Sequence, residues 1–131
     1  MTWLGAPMIW YGDEVGLWGA DDPMCRRPML WNDLGPYASK DYYIHEEHLE
    51  FYKEVIALRN SHPALQDGSL KILHSDDTHE RLFAFLRSAE TQEVVVALNA
   101  SNSKESNWQP KGDGWRVVFS QEKDRCLLPP L

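Results

Sequence analysis

Pro7-Met8-Ile9-Trp10-Tyr11-Gly12-Asp13-Glu14-Val15-Gly16 is the stretch on which the reading of this chain turns. Together with Ala6, the run Pro7 to Trp10 is continuously apolar and stops at the turn signal Gly12-Asp13. A short run without alternation, bounded by turn residues, is the pattern of a β-strand covered on both faces. Such a strand needs hydrogen-bonded neighbours on both sides, so residues 6 to 10 predict a piece of a larger sheet.

Working outward, Leu17 to Lys40 shows no sustained period. Gly19, Asp21, Asp22, Pro23, Pro28, Asn32, Asp33, Gly35 and Pro36 punctuate it, which predicts a long loop. Loops of that length are usually functional or disordered. Beyond it, DYYIHEEHLEFYKEVIALRNSHPAL (residues 41 to 65) places Ile44, Phe51, Val55 and Leu58 on one helical face, widened by Leu49, Tyr52 and Ile56. Glu46, Glu47 and Glu50 lie toward the amino end of this amphipathic helix and Arg59 toward its carboxyl end, as the helix dipole prefers. Pro63 must follow its last turn, and His62 is placed to donate to the terminal carbonyls.

After Gly68 the pattern becomes short β-type runs, Leu70 to Leu73, Leu82 to Leu86, Val94 to Leu98 and Trp115 to Phe119, separated by turn-rich stretches. They predict a small antiparallel sheet or sandwich. The change of period between Pro63 and Gly68 is the candidate domain boundary, and neither an internal repeat nor a low-complexity tract is present.

Composition restricts the function classes. The chain has 131 residues, 43% of them hydrophobic, enough for one modest core or a small domain with an appended piece. Thirteen Lys and Arg face 20 Asp and Glu, a net charge of −7 that repels phosphate backbones and anionic membrane surfaces. Neither a nucleic acid nor a membrane is therefore expected as partner. Cys25 and Cys126 make no disulfide framework and read as free thiols. The start, Met1 to Gly5, has no signal-peptide pattern, and no window approaches eighteen apolar residues. The compartment stays open, with the cytoplasm slightly favoured.

Several side-chain groupings invite a chemical reading. Asp13 and Glu14 could suggest an acid/base pair, but neighbours in an extended segment point to opposite faces and cannot flank one substrate atom; a turn acid and a solvated one are expected. Asp21 and Asp22 meet the same objection as a pair, although either could act singly. The run HEEH, His45 to His48, spaces its histidines three apart, whereas the zincin pattern needs four. A solvated helix start is expected, with no metal and no cofactor. Phosphate-binding glycine loops, nucleophile elbows and paired Cys-x-x-Cys motifs are all missing from the sequence. The loop WGADDPMCRRPMLW (18 to 31) differs, because Trp18 and Trp31 accompany Asp22 and Arg26. Aromatic faces stack on sugar C–H faces, and a carboxylate beside a guanidinium suits vicinal hydroxyls. A surface Asp22–Arg26 ion pair with tryptophans as core filler explains the composition equally well.

The order of these segments resembles the α-amylase family of glycoside hydrolases. GAPMIWYGDEVG (5 to 16) resembles the family's eighth-strand signature, G-x-P-x-I-Y-Y-G-x-E-x-G, with Trp10 where tyrosine is usual. GADDPMCRRPMLW (19 to 31) is similar to a loop of the neopullulanase, cyclomaltodextrinase and maltogenic amylase branch. FYKEVIALRNSHPAL (51 to 65) is similar to the last barrel helix, and the remainder, ending LLPPL, to the carboxyl-terminal β-sandwich. The resemblance implies an α+β chain: residues 1–62 as the end of a (β/α)8 barrel, and 63–131 as a β-sandwich whose final strand is missing. It assigns Asp22 and Arg26 to substrate binding, on a glucosyl unit at the non-reducing side of the cleavage point, and Gly5, Pro7, Tyr11, Gly12 and Glu14 to scaffold. The family's three catalytic carboxylates, on the fourth, fifth and seventh strands, have no counterpart here. The implied molecule is thus a carboxyl-terminal fragment of an α-glucan-acting enzyme, inactive alone, with α-glucan or maltooligosaccharide as the parent's partner. The alternative is a non-catalytic carbohydrate-binding or protein-interaction module. Exposed barrel-remnant surfaces would favour a homo-oligomer or local disorder of residues 1 to about 40.

Overall fold

The computed structural model describes residues 1–36, 42–75, 81–100 and 108–120. Within them the chain is a small α+β unit of one long helix, α1 (Glu46–Ser61), a one-turn helix, α2 (Pro63–Gln66), and three strands, β1 (Ser69–Ser75), β2 (Leu82–Ala89) and β3 (Gln92–Asn99). No helix among the described residues is long and apolar enough to cross a membrane.

Helix α1 carries Glu46 and Glu47 in its first turn and Arg59 in its last, the arrangement the dipole favours. Its orphan carbonyls are collected by side chains beyond the end. Gln66 Nε2 donates to Arg59 O and Asn60 O (3.0 and 2.9 Å), the His62 backbone N–H bonds Arg59 O, and His62 Nδ1 lies 2.7 Å from Leu58 O, the end role expected of it. Pro63 stops the helix and starts α2 at its first position, where its missing N–H costs nothing.

The strands form an antiparallel meander in the order β1-β2-β3. Pairing of β2 with β3 runs unbroken from Leu82↔Asn99 to Ala89↔Gln92, so Glu90-Thr91 is a two-residue hairpin turn. Pairing of β1 with β2 shifts register between Ile72 and His74, a bulge that leaves Leu73 without an opposite residue. Central β2 is the largest contributor to the core: Leu82, Ala84 and Phe85 are buried, as are Ala64 and Leu65 of α2, Val15 and Leu30. Phe83, Phe85 and Arg87 alternate onto one face, and the Trp3 ring meets Phe85 edge-on at 5.1 Å and Phe83 at 5.9 Å.

Residues 1 to 5 are fastened by two arginines. Arg87, fully buried, donates from Nη1 to Thr2 O and Trp3 O (2.7 and 3.0 Å) and from Nη2 to Gly68 O (2.8 Å). Arg59 at the end of α1 donates from Nη1 to Met1 O and Leu65 O (2.7 and 2.6 Å) and, at 3.4 Å, to Trp3 O; its Nη2 donates to Gly5 O at 2.8 Å. Helix, linker, sheet and amino-terminal segment meet at these two guanidinium groups.

Two expectations need correction. Residues 6–10 are not part of any strand: no described neighbour offers a ladder, so the run carries no regular structure and is largely exposed, with Met8 84% and Trp10 60% accessible. The segment Trp115 to Phe119 forms no strand either. It lies along α1 instead, Phe119 6.2 Å from Phe51, and Val117 to Ser120 border a shallow groove with Glu54, Leu58 and His62. As expected of a stripe that lacks a barrel wall, no residue of α1 is buried; Phe51, Val55 and Leu58 are half-covered and Ile56 is exposed, because the described residues give them little to pack against.

Gly68, where helix gives way to sheet, has no room for a side chain: an added Cβ would stand 2.3 Å from Ala64 O and 2.8 Å from Ser88 O. Gly68→Ala is therefore expected to cost about 1–3 kcal/mol, the range for overpacking, read as a lower urea midpoint; an unchanged midpoint would show that the α2–β2 approach can relax. Arg87→Met removes three charge-assisted bonds and should cost at least the roughly 1.5–3 kcal/mol of one such bond. Hydrogen exchange should then speed up at residues 2 to 5 more than in the β2–β3 hairpin, and uniform acceleration would contradict the role given to Arg87.

Candidate functional site

The loop after Tyr11 is shaped by short backbone bonds. Gly12, at φ 93°, enters a 3-10 turn over Asp13–Val15, a left-handed conformation that suits glycine. The two adjacent carboxylates are engaged locally: Glu14 Oε2 accepts the Gly12 N–H at 2.9 Å and Asp13 Oδ2 the Trp10 N–H at 3.3 Å. The His45 N–H then donates to Val15 O at 3.0 Å, joining the turn to the start of α1.

Further on, the Met24 N–H donates to Asp21 O (2.8 Å) and the Arg26 N–H to Pro23 O (3.0 Å), folding residues 21 to 26 into consecutive turns. Asp21 Oδ1 accepts the Asp22 N–H at 2.8 Å, a local contact that engages the Asp21 carboxylate and leaves Asp22 to act singly. The turns bring Asp22 and Arg26, four apart, into a forked ion pair: Nε to Oδ1 at 3.0 Å and Nη2 to Oδ2 at 3.2 Å. The Arg26 and Asp22 side chains remain 75% and 58% exposed. Cys25, a free exposed thiol, lies 3.9 Å from Asp22 Oδ1; Cys126 falls outside the described residues.

Arg27 holds the neck of this loop. Its guanidinium carbon sits 4.9 Å from the Trp18 ring centroid and 5.3 Å from that of Tyr42, within cation–π range. Its backbone carbonyl accepts the Tyr11 hydroxyl at 2.9 Å, and the Tyr42 hydroxyl donates to Pro28 O at 3.3 Å. Trp18 and Trp31 are both exposed, and Leu30 between them in sequence is buried. The expected pair Asp22 and Arg26 is thus brought together, in company with aromatic surface.

The histidines of HEEH stack on each other, ring centroids 5.1 Å apart and planes 19° off parallel. Gly16 faces them so closely that a Cβ there would stand 2.6 Å from His45 Cδ2. Among the described residues no three His, Cys, Asp or Glu side chains are grouped to hold a metal ion.

Arg59 and Arg87 are what sequence reasoning missed. Arg59 reads as a dipole-complementing cation and is in fact a collector of carbonyls. Arg87 occupies the inward register of β2, in line with Phe83 and Phe85, and a charge in that register is the signal that could have revealed it. Burial, then the neighbouring Arg59 charge, lowers the Arg87 pKa from its ordinary value, and Asp67 opposes the shift. The Met1 amino group is lowered by the same two causes in the same order.

An exposed ion pair contributes roughly 0–1 kcal/mol, so Asp22→Asn should leave the urea midpoint within that margin. A larger loss would give the pair a structural duty and weaken its claim to a ligand.

No protein-family model matches the chain. Single relatives do. Neopullulanase 2 of Thermoactinomyces vulgaris is 42% identical over 106 residues, covering 81% of this chain and 17% of the relative. A cyclomaltodextrinase of a Bacillus species is 39% identical over 98 residues (75% and 16%), and a maltogenic alpha-amylase of Bacillus acidopullulyticus 32% over 104 (79% and 16%). The chain spans about a sixth of the length of these curated relatives. Over the matched residues it is a homologue of the neopullulanase, cyclomaltodextrinase and maltogenic amylase group, and so belongs to the α-amylase family of glycoside hydrolases.

Proposed function

We propose that this chain is the carboxyl-terminal part of an α-glucan-acting glycoside hydrolase and that its loop of residues 17–36 lends Asp22 and Arg26 to a glucosyl unit on the non-reducing side of the cleavage point. Residues 1–62 belong to the end of the catalytic barrel in this reading, and 63–131 to a β-sandwich-type domain. The observation that carries it is the forked Asp22–Arg26 pair, held on a braced loop yet open to solvent. A carboxylate beside a guanidinium suits a sugar's neighbouring hydroxyls, and an exposed pair yields its hydrogen bonds to a ligand at little cost. The names of the relatives, neopullulanase and cyclomaltodextrinase, point to the same substrate class.

The parent reaction would be retaining hydrolysis or transglycosylation at α-1,4 or α-1,6 glucosidic bonds, by double displacement between two carboxyls. This chain should not perform it alone. Asp13 and Glu14, its adjacent carboxylates, each accept a backbone N–H of their own turn, which gives them a local structural role. A second reading, a carbohydrate-binding module, draws support from the exposed rings of Trp10, Trp18 and Trp31. Calorimetric titration of the isolated chain with maltohexaose separates the two: millimolar or tighter binding favours the module, and absence of heat the fragment.

The enzyme reading is tested by exchanging the matching segment of neopullulanase 2 for this chain. The hybrid should hydrolyse pullulan. Asp22→Ala or Arg26→Ala in it should weaken productive binding of long glucans by roughly 1–3 kcal/mol, with a smaller effect on maltose-sized substrates. Equal losses on short and long substrates would instead make the pair a structural brace.

A further inference from the structure

We propose that Arg27 is a positioning residue for the Asp22–Arg26 pair, acting through a cation–aromatic clasp that closes the loop at its neck. This deepens the glucan reading and rests on it for its functional meaning. The clasp joins three separate parts of the chain: Trp18 before the turns, Arg27 immediately after them and Tyr42 just ahead of α1. The Arg27 guanidinium is within 5.3 Å of both ring centroids, and its main chain is fixed independently by the Tyr11 hydroxyl on its own carbonyl and the Tyr42 hydroxyl on the next one, of Pro28. Arg26 is the adjacent residue, so the direction in which its side chain leaves the backbone is set by that fixed peptide. Asp22, four residues earlier, is held to Arg26 only by exposed side-chain bonds and two backbone turns. A loop of ten residues joined only by such contacts samples many shapes; closing its ends over a cation cuts that number down. The clasp therefore preorganises the fork before any ligand arrives.

A planar, weakly hydrated guanidinium suits two aromatic neighbours better than a compact ammonium does. Arg27→Lys should keep part of the effect and Arg27→Met none. The readout is the Arg26 Nε–H proton in the intact chain, followed by nitrogen-resolved NMR at mildly acid pH without sugar. In the native chain this proton is hydrogen-bonded to Asp22; Arg27→Met, which removes both cation–π contacts, should speed its exchange by at least the roughly 2- to 30-fold that goes with losing one, with Arg27→Lys in between. If Arg27 acts through the fork, Arg27→Met should add nothing further once Asp22→Ala has removed it. Amide protection in β2 and β3 should stay unchanged in every variant. An Arg26 signal indifferent to Arg27→Met, additive effects in the double variant, or protection lost throughout the sheet would each overturn the proposal. Because no sugar is present, this result is independent of the glucan reading, which the neopullulanase hybrid decides.

Discussion

Two guanidinium groups hold the described structure together. Arg87 rises from the centre of the sheet and Arg59 from the end of the helix, and among the described residues every hydrogen bond they donate ends on a main-chain carbonyl, of Met1, Thr2, Trp3, Gly5, Leu65 or Gly68. A buried charge is tolerated only where dipoles replace water, and six carbonyls do so here. The choice of arginine follows from geometry, since a lysine has three donors at one point whereas the guanidinium spreads five along a rigid plane. Arg87 Nε is the one buried donor of the group without a partner, and the closeness of two like charges adds to the cost. The arrangement persists because the carbonyls it serves have no ladder of their own.

How legible this was in the sequence depends on the range of the interaction. Helix α1 and its end could be read because period, dipole charges, His62 and Pro63 all act within a few residues, and the β2–β3 hairpin for the same reason. The family came through as readily, since segments 5–16, 19–31 and 51–65 keep their order. The run Ala6 to Trp10 misled where composition was taken as burial: an apolar stretch says that a surface wants covering, and whether a cover exists depends on residues elsewhere. The half-covered stripe on α1 and the unpaired Trp115 to Phe119 segment follow the same rule. Of the candidate site, the Asp22–Arg26 spacing was visible as i,i+4. The Arg27 clasp was not, because Tyr42 and Tyr11 lie 15 and 16 positions from it and no local pattern announces them.

Charge is distributed unevenly over these tasks. The chain as a whole is acidic, yet its interior organising groups are cationic, and carboxylates of the amino-terminal half work at turns: Glu14 and Asp13 accept N–H groups beside a 3-10 turn, Asp21 accepts the N–H of the next residue, and Asp22, like Glu50, is paired on the surface. Buried cations thus serve assembly, and the candidate ligand contacts rest on a separate, exposed ion pair in the loop.

The Arg87 contacts also fix an order of events. Sheet pairing joins residues no more than 19 positions apart, whereas the bond from Arg87 to Thr2 closes a loop of 85 positions. Loop-closure entropy grows with length, so short-range pairs form before long-range contacts reward the chain. During synthesis, moreover, the carbonyls of Thr2 and Trp3 leave the ribosome long before their donor exists. The carbonyl of Thr2 must wait until β2 has been made, whereas Arg59 of α1 can claim Met1, Trp3 and Gly5 earlier, so residues 1 to 5 are fastened in two steps.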